Sequence, residues 1–215
     1  MKLHKNSIKR ICFPGAIYYI VMKTKNNHSY FKETIFCDSF IEDLKICKEI
    51  KSFKLYAFSI IFDHINLIIE PNKKFNISQI IKSLKRNVSR NINIIMGYKS
   101  SFLAPLVGET SLSRLRGWRL LKNVGIKEKF PFKNINELKK RFFNKFGNKN
   151  PYPKFKWQLS FYDHYIRFHE NHLKKQRDWD YHYDYTVYNH LKHGLPENWQ
   201  YTSLNYPELI DNIKI

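Results

Sequence analysis

The sequence predicts an α+β fold of the ferredoxin-like kind, in which an antiparallel sheet carries helices on one face. Strand-like and helix-like patterns follow one another in the order β-α-β-β-α up to Gly97, and this order suits such a sheet. The 215 residues are 43% hydrophobic, which is enough to bury a core. No internal repeat or low-complexity linker divides the chain, so we expect a single domain over residues 1–215.

Three segments rich in β-branched and aromatic residues predict strands. They cover residues 16–24, 55–61 and 65–70. The second and third are separated only by Phe62-Asp63-His64, a spacing that predicts a hairpin.

Three further segments predict helices. Ser39 followed by Glu42 has the spacing of a capping box, which predicts that a helix begins there. Residues 76–96 carry Ile, Leu and Val at helical spacing and give the clearest helical pattern in the chain. A last helix is predicted over residues 178–192, before a Gly and a Pro that would end it.

The charge balance predicts a polyanionic partner. Lys and Arg number 38 against 18 Asp and Glu, for a net charge of +20, and an excess of this size favours nucleic acid. No apolar run reaches the roughly 18 residues of a spanning helix, so no membrane partner is expected. The N-terminus shows no secretory signal, and the three cysteines lack a CxxC spacing. These features favour a reducing, cytoplasmic location and argue against a structural zinc site.

Residues 98–156 lack a clear pattern, and we interpret them as a basic insertion before the last helix. Within them, residues 113–156 hold fourteen Lys and Arg against two acids. Such a concentration favours a surface that follows phosphates, with a solvated, lineage-specific face as the alternative. The candidate DNA contacts are Arg114, Arg116, Trp118, Arg119, Lys139, Lys140 and Arg141, together with Lys192 in the last helix.

Two polar pairs stand out as candidate chemistry. His64 and Asn66 interrupt the apolar run DHINLIIEP and would share one strand face. Asn is depleted in strands, so its presence indicates either a functional role or a face that meets solvent. In the last helix, Tyr185 and Asn189 are four residues apart, so their side chains meet.

Five segments, taken in order, resemble the REP-associated tyrosine transposases, which are single-tyrosine transposases with a His-apolar-His (HUH) motif. The segments are GAIYYIVMKTKNN, DHINLIIEP, ISQIIKSLKRNVSRNIN, KWQLSFYDHYIR and HYDYTVYNHLKHGLPENW. The likeness spans about residues 14–101 and 155–203.

The resemblance implies a function and a site. It implies that Tyr185 is the nucleophile and that His64, Asn66 and Asn189 hold Mg²⁺ or Mn²⁺. Enzymes of this family cut one strand of hairpin-forming DNA, leaving a 5′-phosphotyrosine and a free 3′-OH, and they act as monomers or homodimers. The implied setting is a prokaryotic cytoplasm, at the nucleoid.

The chain departs from the family pattern at two positions. Asn66 stands where the family has the second histidine, giving HUN, and His190 stands where it has a proline. The alternative function is therefore a non-catalytic or domesticated protein that binds single-stranded DNA or RNA through a degenerate site. His164, His169 and His172 with Asp163 suggest zinc, but the resemblance assigns FYDHYIR to a non-metal part of the pattern.

Overall fold

The computed structural model describes residue 13 and residues 15–98, 132–167 and 172–213, excluding the side chains of residues 132–134 and 172–177. Its sheet has four antiparallel strands in the order β2-β3-β1-β4. They are β1 (Tyr18–Lys23), β2 (Lys54–Ile61), β3 (His64–Glu70) and β4 (Tyr162–Tyr165). The helices are α1 (Thr34–Lys51), α2 (Ile77–Ile95), α3 (Phe132–Phe146) and α4 (His172–Lys192). The predicted α+β class and antiparallel sheet are confirmed.

Successive side chains along each strand point to opposite faces of the sheet, as strand geometry requires. Ile20, Phe58 and Leu67 lie on the side covered by α1 and α2, where they join the main hydrophobic core. Tyr19 and Ile68 lie on the other side, in a smaller cluster that includes Val187 of α4. Helices α1 and α2 therefore cover one face as expected, and α4 adds a layer on the opposite face.

Helix α1 begins at Thr34, and the predicted start at Ser39 is wrong. Ser39 is buried inside the helix, which is preceded by Glu33 without a side-chain cap. Ile35 and Phe36 are also buried. They extend the apolar face one turn toward the N-terminus, so packing decided the start of this helix.

Helix α2 follows its sequence pattern closely. Asn76 caps it, accepting a hydrogen bond from the Gln79 N–H, while the Gln79 side chain accepts one from the Asn76 N–H. The capping box satisfies two N–H groups at the start of the helix. Gly97, with a φ of +79°, follows the end of the helix.

Helix α3 shows that the last part of the predicted basic insertion packs into the core. Ile135, Leu138 and Phe142 recur at helical spacing and are buried, and the helix contacts α1 and α2. The Phe142 ring lies 5.7 Å from that of Phe36. Basic residues occupy the exposed face, which gave this segment its irregular appearance in the sequence.

The C-terminal half of the chain adds the edge strand and the last helix. Trp157 forms an isolated antiparallel β-bridge with Thr24, and the Gln158 N–H donates to the Lys23 carbonyl. These contacts hold the segment that precedes β4 against the end of β1. Helix α4 begins at His172, earlier than the predicted residue 178.

Candidate metal and nucleophile site

The packing of α4 on the sheet brings together two polar side chains that are 125 positions apart in sequence. His64, at the first position of β3, places its Nε2 3.3 Å from Nδ2 of Asn189 in α4. Asn189 is fully buried, and its Oδ1 has no hydrogen-bond partner among the described residues. A buried carbonyl oxygen of this kind has a free lone pair to offer.

Asp63 orients the His64 ring. Its Oδ1 lies 2.7 Å from Nδ1 of His64, so Nδ1–H donates to the carboxylate and Nε2 keeps a lone pair. Burial lowers the pKa of His64 below its ordinary value, and Asp63 opposes this shift only in part. The imidazole is therefore held neutral, the form that binds metals.

His64 and Asn189 fit a divalent cation by their donor chemistry. Exchanging the two amide atoms of Asn189 by a flip turns its unpartnered Oδ1 toward Nε2 of His64. Imidazole nitrogen and amide oxygen are ligands that Mn²⁺ accepts, and the oxygen also suits Mg²⁺. The pair could thus hold such an ion at the end of β3.

Asn66 lies on the same strand face as His64 but is occupied elsewhere. Its Oδ1 accepts from the Tyr19 hydroxyl at 3.1 Å, and its Nδ2 donates to Ser59 Oγ at 3.3 Å. Tyr19 and Ser59 belong to the two strands that flank β3. Asn66 would reach a cation only by giving up the bond to Tyr19.

Tyr185 lies one helical turn before Asn189 and is half-buried. Its ring meets the Tyr19 ring edge-on at 6.0 Å, and Lys192 Nζ lies 4.4 Å from its centroid. Tyr181 and Tyr188 on the same helix are 63% and 47% exposed. Of the three tyrosines, Tyr185 thus combines a contact to the sheet with a neighbouring positive charge.

The predicted basic contacts fall into three groups. Lys192 lies beside Tyr185, as described. Lys139, Lys140 and Arg141 are exposed on α3, which belongs to the helical layer across the sheet from α4, and Arg141 pairs with Asp38 at 2.9 Å. Arg114, Arg116, Trp118 and Arg119 lie outside the described residues.

A second polar cluster joins His164 to Asp178 and His182, whereas the sequence analysis grouped His164 with Asp163, His169 and His172. His169 and the side chain of His172 lie outside the described residues. Nε2 of His164 in β4 lies 3.2 Å from Asp178 Oδ1, and Nε2 of His182 lies 3.5 Å from the same oxygen. Asp178 and His182 are four residues apart on α4, a spacing visible in the sequence. Their meeting with His164 depends on how α4 crosses the sheet, which no sequence pattern indicates.

Comparison with known proteins supports the resemblance. The family described as "Transposase IS200 like" matches residues 12–102. The predicted likeness to transposases is confirmed over this stretch, which is less than half of the chain. The IS200-like stretch includes His64 and Asn66 and ends before Tyr185.

Two solved structures are similar to the chain. One, described as a REP-associated tyrosine transposase bound to a REP hairpin, aligns with a TM-score of 0.53 and 14% identity, over 96% of this chain and 88% of that one. This likeness confirms the fold. The other, a candidate transposase from Deinococcus radiodurans R1, has a TM-score of 0.35 and 15% identity, over 56% of this chain and 97% of that one.

Two searches gave negative findings. No curated protein matches the chain. Among residues 15–98, 132–167 and 172–213, no helix has the length and apolar character needed to cross a bilayer.

Proposed function

We propose that this protein is a metal-dependent endonuclease and strand transferase that acts on single-stranded, hairpin-forming DNA through Tyr185. The observation that carries the proposal is the 3.3 Å approach of His64 Nε2 to the Asn189 amide. It joins a strand of the IS200-like stretch to the helix that bears Tyr185. A candidate metal ligand on β3 and a candidate nucleophile on α4 would therefore lie on the same face of the sheet.

His64 and Asn189 would hold Mg²⁺ or Mn²⁺ in this enzyme. Asn66 would be a third ligand after its carbonyl turns away from Tyr19. Such an ion, when bound, would supply Lewis-acid polarisation of the scissile phosphate. Asp63 keeps the imidazole of His64 in the tautomer that leaves Nε2 available.

Tyr185 would perform the covalent step. Its Oη attacks the phosphorus and gives up its proton, forming a phosphotyrosine at the 5′ side of the break. The bond from phosphorus to the 3′ oxygen breaks, and that oxygen takes a proton to become the 3′-OH. Lys192, 4.4 Å from the Tyr185 ring, offers positive charge to the phosphate being attacked. The ester bond conserves the energy needed for later strand transfer, so no nucleotide cofactor is required.

The proposed partner is hairpin DNA. The net charge of +20 supports binding to a phosphate backbone, and the solved REP-associated transposase is itself bound to a REP hairpin. The proposed DNA contacts are the basic residues of α3 (Lys139, Lys140 and Arg141) and, before that helix, Arg114, Arg116, Trp118 and Arg119. The enzyme would work at the nucleoid in a prokaryotic cytoplasm, as a monomer or a homodimer.

A denaturing gel tests the proposal. The full chain is incubated with a labelled pool of single-stranded hairpins that vary in loop and flank, with Mn²⁺ or with EDTA. We expect a shifted covalent band that requires Mn²⁺, is absent in Tyr185→Phe and is retained in the matched control Tyr188→Phe. A band that persists in Tyr185→Phe, or disappears equally in Tyr188→Phe, would contradict the assignment of the nucleophile.

The hydrogen bonds of Asn66 favour a second candidate function. Its two amide atoms are bonded to Tyr19 and Ser59, an arrangement that a structural asparagine would also adopt. The second candidate is a non-catalytic or domesticated protein that binds single-stranded DNA or RNA. It predicts tight native-gel binding to the pool, no covalent band with any divalent cation, and equal binding by wild type and Asn66→Ala.

A further inference from the structure

A cluster of two histidines and one aspartate joins β4, the edge strand, to α4, the helix that carries Tyr185. His164 belongs to β4, and Asp178 and His182 belong to α4. One donor atom from each residue lies within 4.8 Å of the other two. Asp178 and His182 lie on the same helix as the proposed nucleophile, and His182 precedes Tyr185 by three residues. The cluster shares no residue with the pair His64 and Asn189.

The distances in the cluster include long hydrogen bonds from His164 to Asp178, and they also fit the spacing of ligands on one ion. His164 Nε2 and His182 Nε2 lie 3.2 and 3.5 Å from Oδ1 of Asp178. Two ligand atoms on a tetrahedral ion with bonds of about 2.0–2.1 Å are separated by about 3.3 Å.

The surroundings hold these donors in place. Asp178 Oδ2 accepts the backbone N–H of Arg167 at 2.9 Å, and His164 Nε2 lies 3.2 Å from Oδ1 and 3.3 Å from Oδ2. The His182 ring stacks on Tyr19 at 4.7 Å. Its buried Nδ1 has no hydrogen-bond partner among the described residues, so the polar contact of this imidazole is made through Nε2.

The electrostatics also suit a metal. Burial lowers the pKa of His182 below its ordinary value, the neighbouring His164 lowers it further, and Asp178 opposes this shift in part. A neutral imidazole keeps the lone pair that a metal needs. Asp178 supplies the negative charge that offsets part of the charge of a divalent ion.

The donor set selects the class of ion. Two imidazole nitrogens and one carboxylate oxygen suit Zn²⁺ and similar transition metals, whereas Mg²⁺ prefers oxygen ligands. His164 is 32% exposed, so a fourth position can be filled by water. We propose that His164, Asp178 and His182 form a binding site for a divalent transition-metal ion of the Zn²⁺ class, which fixes α4 against β4 beside Tyr185.

Co²⁺ absorbance tests this site directly, with no dependence on DNA cleavage. The full-length chain is stripped with EDTA, dialysed and titrated with Co²⁺, whose visible spectrum reports tetrahedral nitrogen and oxygen ligands. We expect one equivalent to give this spectrum and Zn²⁺ to displace it. His164→Ala and Asp178→Asn should each weaken the affinity by more than about a hundredfold, because loss of a ligand exceeds the 10–100-fold typical of outer-shell changes.

His64→Ala is the matched control, because it alters the other candidate site. The His164-dependent equivalent should remain in His64→Ala and vanish in His164→Ala. Thermal unfolding supplies the second measurement: Zn²⁺ at about 100 times its Kd should raise the Tm of wild type by about 5–10 °C and leave that of His164→Ala unchanged. A Co²⁺ spectrum that survives in both His164→Ala and Asp178→Asn, or no tetrahedral spectrum in folded wild type, would overturn the proposal.

Discussion

The two faces of the sheet have different compositions. On the face that α1 and α2 cover, the strands contribute apolar side chains such as Ile20, Phe58 and Leu67, all fully buried. On the α4 face, apolar residues share the interface with Tyr19, Ser59, His64, Asn66 and Asn189. Most of these polar groups are buried and hydrogen-bonded across elements. The first face contributes mainly apolar burial. The second carries buried polar groups that lower stability unless they are hydrogen-bonded, and the proposed function would use them.

Adjacent residues of β3 provide the largest and most direct test of this division. His64→Ala should lower covalent adduct formation about a thousandfold, since Lewis-acid polarisation contributes several kcal/mol to the transition state. Ile65→Ala, which alters the other face, should lower the free energy of unfolding by about 3 kcal/mol. Its adduct formation should stay near that of wild type. Adduct gels and urea unfolding of both variants measure the two effects, and equal losses of activity in both would break the comparison.

Helix α3 extends the stabilising face, and a cavity there measures its contribution. Phe142 is fully buried against Phe36 and Phe146. Phe142→Ala should reduce the free energy of unfolding by about 3 kcal/mol, through lost apolar contact and the cavity left behind. The neighbouring exposed change Lys140→Ala serves as a control, with an expected change within about 0.5 kcal/mol. Similar stabilities for the two variants in urea would show that α3 is not part of the cooperative core.

Asp43 is a buried ionisable residue on the side of the sheet that α1 and α2 cover, and its titration should affect stability. It lies between α1 and α2, where its Oδ1 accepts from Asn91 Nδ2 at 2.7 Å. Burial raises its pKa to about 8, against a partial lowering by Arg90. The native state therefore keeps a proton that the unfolded chain releases above about pH 4. This contribution to stability is fully present below about pH 4 and is lost as the pH rises toward 8.

Asp43→Asn separates this effect from other titrating groups. Between pH 5 and pH 8 the wild type should lose at least about 1 kcal/mol more of its free energy of unfolding than the variant does, because one pKa unit corresponds to about 1.4 kcal/mol. Urea unfolding at both pH values gives the four free energies needed. Parallel pH profiles for the two proteins would show that Asp43 does not titrate in this range.

The hydroxyl of Tyr19 tests the face that α4 covers with the smallest expected effect. Tyr19→Phe removes the hydrogen bond to Asn66 Oδ1, which frees the carbonyl to serve as a third ligand. Mn²⁺ affinity should then rise about fivefold, corresponding to a net hydrogen-bond contribution of about 1 kcal/mol. Calorimetric titration of wild type, Tyr19→Phe and the double variant Tyr19→Phe/Asn66→Ala measures it. An affinity unchanged by Tyr19→Phe would assign Asn66 a purely structural role.

The sequence alone determined the elements whose patterns are local. The hairpin β2–β3 was readable from apolar runs separated by three residues, and α2 from its helical period and the residues around its ends. Both signals depend on neighbours along the chain. The quoted segments also identified the transposase likeness, because a motif is a property of sequence.

Tertiary structure decided the features that depend on distant contacts. The packing of α1 moved its start from Ser39 to Thr34, since burial of Ile35 and Phe36 outweighed a local capping pattern. The placement of α4 brought Asn189 to His64, and the pairing of β1 with β3 brought Tyr19 to Asn66. Both contacts join elements far apart in sequence. The same placement of α4 assembled His164 with Asp178 and His182. Local sequence fixes which face of a strand or helix a side chain occupies, whereas only the packing of one element on another fixes what that side chain meets.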